Sequence, residues 1–185
     1  MINLDKGDDV TISLKHISVG LGWDPSAKAN EDFDLDASAF MLGVNKKIPS
    51  DPYFVFYNNL ISPDGAVKSM GDDRTGGNSQ KGDDETIVVD LTKVSPFIQE
   101  ILFTATIHKA VERGQNFGRV SHAYIRIYDT DTKAEIAHYD LNEDFSTETA
   151  VEFGKLIKKG STWVFEAVGQ GDNGGLRALV TRYAN

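Results

Sequence analysis

Ten of the 28 acidic residues in this 185-residue chain fall in two short windows, Asp24 to Asp36 and Gly71 to Glu85. The first holds Asp24, Glu31, Asp32, Asp34 and Asp36 against a single Lys28; the second holds Asp72, Asp73, Asp83, Asp84 and Glu85 against Arg74 and Lys81. The two windows thus carry −7 of a net charge of −9. Carboxylates crowded in this way repel one another unless a positive charge sits among them, and hard, oxygen-seeking cations such as Ca²⁺ are the commonest solution. The chemistry these residues point to is divalent-cation binding.

In Asp32-Phe-Asp-Leu-Asp36 the acids alternate with Phe33 and Leu35. An extended backbone therefore puts three carboxylates on one face and two apolar groups on the other. The same spacing opens an EF-hand, but that loop needs Gly after the third acid and Glu at its twelfth position, and here those places hold Ala37 and Gly43. The second window is a Gly-rich loop that ends in Asp83-Asp84-Glu85 at the start of another apolar run. Ca²⁺ takes six to eight oxygens, more than either window supplies with good geometry, whereas two loops converging on one site supply them for one ion or two. Asn58 and Asn59 add amide oxygens after a third strand-like run. Two solvated acidic loops is the plain alternative.

The elements that must position these acids read as mostly β. The apolar segments are short, β-branched or aromatic, and separated by Gly, Asn, Asp and Pro. Val10 to Leu14, Leu35 to Leu42, Tyr53 to Tyr57, Thr86 to Asp90, Ile101 to Ile107, Ala123 to Tyr128, Ala134 to Tyr139 and Thr162 to Val168 are the expected strands. About eight strands on short turns predict a β-sandwich of two packed sheets with one or two short helices, in one domain over 1–185. Ser62-Pro-Asp-Gly65 and Asp129-Thr-Asp-Thr132 supply turn chemistry, the second as a hairpin loop. A helix is predicted over Thr147 to Lys159, where Phe153, Leu156 and Ile157 fall at i, i+3 and i+4 and the pattern stops at Gly160. Leu91 to Gln99 is read as a short helical turn around Pro96, and Leu176 to Ala184 as helix or strand.

Gly169-Gln-Gly-Asp-Asn-Gly174 matches G-x-G-x-x-G, but only eleven residues follow it. No βαβ unit can be completed there, so a tight terminal turn is the expectation. Asp34-Leu-Asp36 with Ser38 has the form of a catalytic D-x-D; in α/β enzymes such acids follow an apolar strand, and here they precede one. Neither a P-loop nor a nucleophile elbow is present.

A pI near 4.8 without a Lys/Arg cluster argues against nucleic acid. The absence of cysteine removes disulfides, thiol catalysis and thiolate metal sites. His16, His108, His122 and His138 match no paired zinc spacing and read as structural or surface histidines. With no membrane-length apolar run and no basic-then-apolar leader, the expected location is cytoplasmic and the chain is not itself membrane-inserted.

Gly20-Leu-Gly-Trp-Asp24, Asp32 to Phe40, Ser62 to Ala66, Gly71-Asp-Asp-Arg-Thr-Gly76, Gly82-Asp-Asp-Glu85, Val89-Asp-Leu91, Gln115-Asn-Phe-Gly118, Ser146 to Ala150 and Gly169-Gln-Gly171 occur in order along the chain. With these motifs the chain closely resembles the TerD family of bacterial tellurium-resistance and general stress proteins, over nearly its full length. The resemblance implies a β-sandwich that binds two Ca²⁺ ions through its acidic loops. It implies a binding or scaffold module rather than an enzyme, with other stress and tellurite-resistance proteins as partners, a membrane-bound one among them. Metal-dependent hydrolase or phosphatase and small-ligand sensor, such as one for a cyclic nucleotide, stay open beside it.

Carried over by position, the implied ligands are Asp24, Asp32, Asp34 and Asp36 from the first window, Asp72, Asp83, Asp84 and Glu85 from the second, and Asn59. The chain departs from the family pattern at Gly77-Asn-Ser-Gln-Lys81, which is longer and lacks acids, and at Ser69-Met70. No ligand is carried over from either place.

Overall fold

The computed structural model describes residues 6–26, 31–71, 73–76 and 82–185. Among them two antiparallel sheets face one another. The first has the order β1 (Asp9–Ile12), β11 (Thr162–Asp172), β10 (Ala150–Lys159), β7 (Glu100–Ile107), β3 (Leu35–Leu42) and β4 (Phe54–Val55). The second runs β5 (Val67–Ser69), β6 (Glu85–Asp90), β2 (His16–Gly22), β8 (Tyr124–Asp129) and β9 (Glu135–Asp140). Short helices α1 (Ala110–Arg113) and α2 (Leu141–Asp144) lie in connections, and α3 (Gly175–Tyr183) ends the chain. This is the expected β-sandwich, with three short α-helices.

Alternation in the strands builds the core. Leu35, Ala37, Ala39 and Met41 on β3 pair with Ile107, Ala105, Phe103 and Ile101 on β7, and all are buried. Ile17, Val19 and Leu21 on β2 meet them from the opposite sheet, flanked by Ile87 and Val89 on β6 and by Ile125 and Ile127 on β8. The other face of the first sheet holds a second, smaller core. Phe40, Leu42, Phe54, Leu102 and Leu179 cluster there under α3, which seals an apolar patch that would otherwise be wet. Toward the start of β3 that outer face turns polar: Asp36 is opposite Thr106, and Ser38 and Thr104 share a 2.6 Å hydrogen bond.

The helix predicted over Thr147 to Lys159 is instead strand β10, paired with β11 on one side and β7 on the other. A register shift between Glu152 and Gly154 gives β10 one extra residue against β7. Val151, Phe153 and Leu156 thereby share the core face, and the bulge turns a spacing of two into three. That imitates the i, i+3 signature of a helix. Leu91 to Gln99 forms turns without a helix. Gly169 to Gly174 is no tight turn: β11 runs on to Asp172, and α3 starts at Gly175. The Asp129 to Thr132 hairpin joins β8 to β9, with Asp129 Oδ1 accepting the amides of Asp131 and Thr132 at 2.8 and 3.2 Å. No helix among the described residues is long and apolar enough to cross a membrane.

Candidate metal centre

β2 ends where β3 and β6 begin, so both acidic windows meet at one end of the sandwich. In the first, Phe33 and Leu35 are buried inward as the alternation requires. Three successive carbonyls fix the extended backbone there. Gln115 Nε2 donates to Asp32 O at 3.0 Å, Trp23 Nε1 to Phe33 O at 3.1 Å and the His108 amide to Asp34 O at 2.7 Å.

Trp23 joins the windows. Its indole donates to the first, and its backbone amide donates to Asp84 Oδ2 in the second at 2.8 Å. The Asp84 amide in turn donates to Leu21 O at 2.8 Å, and Glu85 Oε2 accepts the Ala37 amide at 2.7 Å. Asp73 folds the turn that follows it, its Oδ1 accepting the amides of Thr75 and Gly76 at 3.0 and 3.2 Å.

Asp32, Asp34 and Asp36 line one cleft of about 380 Å³, with Thr75 of the second window across from them. Arg74, Lys109, Arg113 and His108 line it too and offset the acids. The His108 ring stands 3.9 Å from Asp36 Oδ2 and packs edge-on against Tyr57. The remaining acids are placed elsewhere. Asp24 pairs with His122 at 2.7 Å on the exposed surface. Asp83 lies on the outer face of the second sheet, where Arg126 Nε and Nη2 donate to its two oxygens at 2.8 and 3.1 Å and Tyr124 adds a third bond at 3.0 Å. Asn59 sits on the turn after β4, its amide nitrogen donating to Pro52 O and Phe54 O at 3.0 and 2.7 Å. Asp72 lies outside the described residues.

The pair around Asp83 sets the local electrostatics. Burial raises the Tyr124 phenol, and the adjacent Asp83 charge raises it further. Burial by itself would lower the Arg126 guanidinium, but its bond to Asp83 outweighs that and leaves it raised. Arg126 is also stacked on Tyr128, 4.8 Å from the ring centroid.

Among the described residues no three acidic or histidine side chains converge as a ready-made metal cluster. The donor chemistry nevertheless fits a hard cation, because the acid face of the cleft is all oxygen. Beside Asp32, Gln115 is 6% exposed and its Oε1 has no hydrogen-bond partner among the described residues. A buried amide oxygen without a partner is rare in folded proteins and is a ready ligand for such an ion. Gln115, Thr75 and the cationic rim were not in the sequence-derived ligand set. Gln115 had a signal there as the first residue of the Gln115-Asn-Phe-Gly118 motif, and Arg74 and Thr75 had one inside Gly71-Asp-Asp-Arg-Thr-Gly76.

Comparison with known proteins agrees with this architecture. The TerD domain model matches residues 1–183. The chain is 47% identical over 187 residues to a tellurium resistance protein TerD of Serratia marcescens, covering 98% of this chain and 96% of the relative. It is 43% identical over 188 residues to general stress protein 16U of Bacillus subtilis, covering 98% and 96%. The crystal structure of a TerD homologue from Streptomyces coelicolor superposes with a TM-score of 0.77 at 22% identity, over 94% of this chain and all of that one, which shows the shared fold. The chain belongs to the TerD domain family.

Proposed function

We propose that the protein is a Ca²⁺-binding module of bacterial stress and tellurite resistance, holding two ions at the end of the sandwich where its acidic windows meet. The observation that carries this reading is the convergence itself: Trp23 and Glu85 bind both windows together beside a cleft lined by Asp32, Asp34 and Asp36. Asp32, Asp34 and Asp36 are the leading ligands, with the Gln115 amide oxygen on the other side of Asp32, and Asp84 and Glu85 support them from the second window. Bound Ca²⁺ adds positive charge among these carboxylates to that of the cationic rim. Binding to the folded state alone stabilises it by RT ln(1 + [L]/Kd), about 2.7 kcal/mol at a hundredfold excess over Kd. Ordering of the loops then presents a surface to partner proteins of the same resistance and stress systems in the cytoplasm, without turnover of a substrate.

Calorimetric titration of EDTA-stripped protein with Ca²⁺ and with Mg²⁺, with a melting curve at each endpoint, tests this. Uptake of two Ca²⁺ per chain, weak Mg²⁺ binding and a raised Tm are expected. Asp34→Ala and Asp84→Ala should weaken uptake and leave the β core folded. Absence of both heat and melting shift would reduce the windows to solvated loops. Phosphoester turnover with Mg²⁺ or Mn²⁺ would move the reading to a hydrolase.

A further inference from the structure

A second cavity, of about 390 Å³, opens on the outer face of the first sheet between β7 and the start of α3. Thr106 of β7 lines it, is 1% exposed, and its hydroxyl has no hydrogen-bond partner among the described residues. Buried hydroxyls are nearly always paired, so this one is a hydrogen-bonding group that the protein itself leaves unused. Facing it is the N-terminus of nine-residue α3, formed by Gly174 to Arg177. Asp172 Oδ1 accepts only the Gly174 amide, at 2.6 Å; among the described residues no acceptor takes the amides of Gly175 and Leu176. Gly175 has φ +60°, a Cβ there would meet nothing within 4 Å, and both Gly175 and Leu176 line the cavity. Free amides at a helix N-terminus carry a partial positive charge and bind anions.

The charges around the cavity are mixed. Lys109 and Arg177 line it, with His108, against Asp36 and Glu112. Lys109 is held at φ +54°, a left-handed conformation that costs a residue with a Cβ and that Lys46, His122 and Lys133 share. We propose that this cavity binds a phosphate-type oxyanion, with the Gly175 and Leu176 amides, the Thr106 hydroxyl and the Lys109 ammonium donating to its oxygens. Asp36 also lines the acid cleft next door and repels such an anion. A cation taken up there neutralises Asp36 and strengthens anion binding, and the anion strengthens cation binding by the same factor. This coupling, unlike the anion site itself, rests on the Ca²⁺ reading.

The test is titration of the ¹⁵N-labelled full chain with inorganic phosphate and with methyl phosphate, first in EDTA and then at Ca²⁺ too dilute to precipitate phosphate. Saturable shifts at the amides of Lys109, Gly175 and Leu176 are expected, at lower concentration when Ca²⁺ is present. Saturation by methyl phosphate assigns the site to a phosphomonoester, and saturation by the inorganic ion alone to free phosphate. Thr106→Val, which removes an unpaired hydroxyl at constant shape, should keep its Tm and weaken binding about tenfold, the loss of one charge-assisted hydrogen bond. Lys109→Gly should raise Tm by relieving the backbone and still weaken binding. Absence of saturable shifts at these amides in both buffers overturns the site, as does parental affinity in both variants. Equal affinity with and without Ca²⁺, in protein whose uptake of the ion has been measured, overturns the coupling. Should calorimetry find no Ca²⁺ uptake, the EDTA titration decides the site alone.

Discussion

Glu85, the first residue of β6, reaches across to the opposite sheet and accepts the backbone amide hydrogen of Ala37 on β3, with Oε2 and N 2.7 Å apart. Both residues are buried, at 5% and 4% exposure, so this bond ties the two acidic windows together out of water. A buried amide left without an acceptor costs about 1–3 kcal/mol, and a carboxylate in such a place is retained only where it is paired.

Glu85→Ala should therefore destabilise the metal-free protein by about 2 kcal/mol in urea unfolding, because the Ala37 amide is orphaned. Glu85→Gln keeps an acceptor at that position and should cost less than about 1 kcal/mol. In calorimetry both variants should take up Ca²⁺ more weakly. Equal destabilisation by the two would show that the charge, and not the acceptor, holds the sheets together here.

How much of this was legible in the sequence depends on which residues spoke for themselves. Leu35 to Leu42 is a strand with the predicted bounds because its apolar side chains are backed by a buried partner strand along its whole length. β2 was missed because Gly20 and Gly22 weaken its strand signature. The structure uses those glycines for closeness: a Cβ at Gly20 would run into the Asp83 carboxylate, and one at Gly22 into the Tyr124 ring. β10 was misread because its bulge reproduces a helical spacing. At the site, alternation placed Asp32, Asp34 and Asp36 correctly on one face. No local pattern could show that Asp83 is turned toward Arg126, 43 residues away, or that Gln115 sits behind Asp32. Such pairings are made by topology, which a window of sequence does not contain.

Helix α3 depends on Leu179, fully buried at the centre of the smaller core with Phe40, Leu42 and Leu102. Leu179→Ala should cost about 3 kcal/mol, within the range for deleting a buried leucine side chain. Because α3 belongs to neither sheet and packs only in the smaller core, hydrogen exchange should report loss of protection in α3 and at the outer face of β3 before the rest of the sandwich opens. Uniform loss across both sheets would mean that α3 is part of the main cooperative unit.

Tyr183, at the end of α3, gives the fold an alkaline limit. Burial pushes its phenol up to about 12, and the neighbouring Glu152 charge adds to this. An unfolded tyrosine titrates near 10, so the folded state favours the neutral phenol. The resulting stability is complete below about pH 10 and is lost as pH rises from there to about 12. Measured against Tyr183→Phe, the parent should lose about 1–2 kcal/mol across that window. Chemical unfolding at pH 9 and at pH 11.5 (roughly the two ends of the window) checks this, and a constant difference between the two proteins would remove Tyr183 as the cause.

The Asp83–Arg126 pair makes the sharpest prediction about which acids serve an ion. Asp83 has a side chain only 4% exposed and receives both guanidinium bonds, so breaking the pair from either side leaves a buried charge or a buried acceptor unmet. Asp83→Asn and Arg126→Lys should each lower stability in EDTA by about 2 kcal/mol, since lysine keeps the charge but not the fork. The double variant should cost much less than their sum, a coupling of about 1 kcal/mol or more. Gly20→Ala should reproduce the single losses by displacing the Asp83 carboxylate. A carboxylate that serves an ion instead of the fold behaves in the opposite way: with the metal stripped, Asp83→Asn would relieve repulsion among the acids and raise Tm. The direction of the Tm change in EDTA therefore decides whether Asp83 holds the second window in place or belongs to the ligand set.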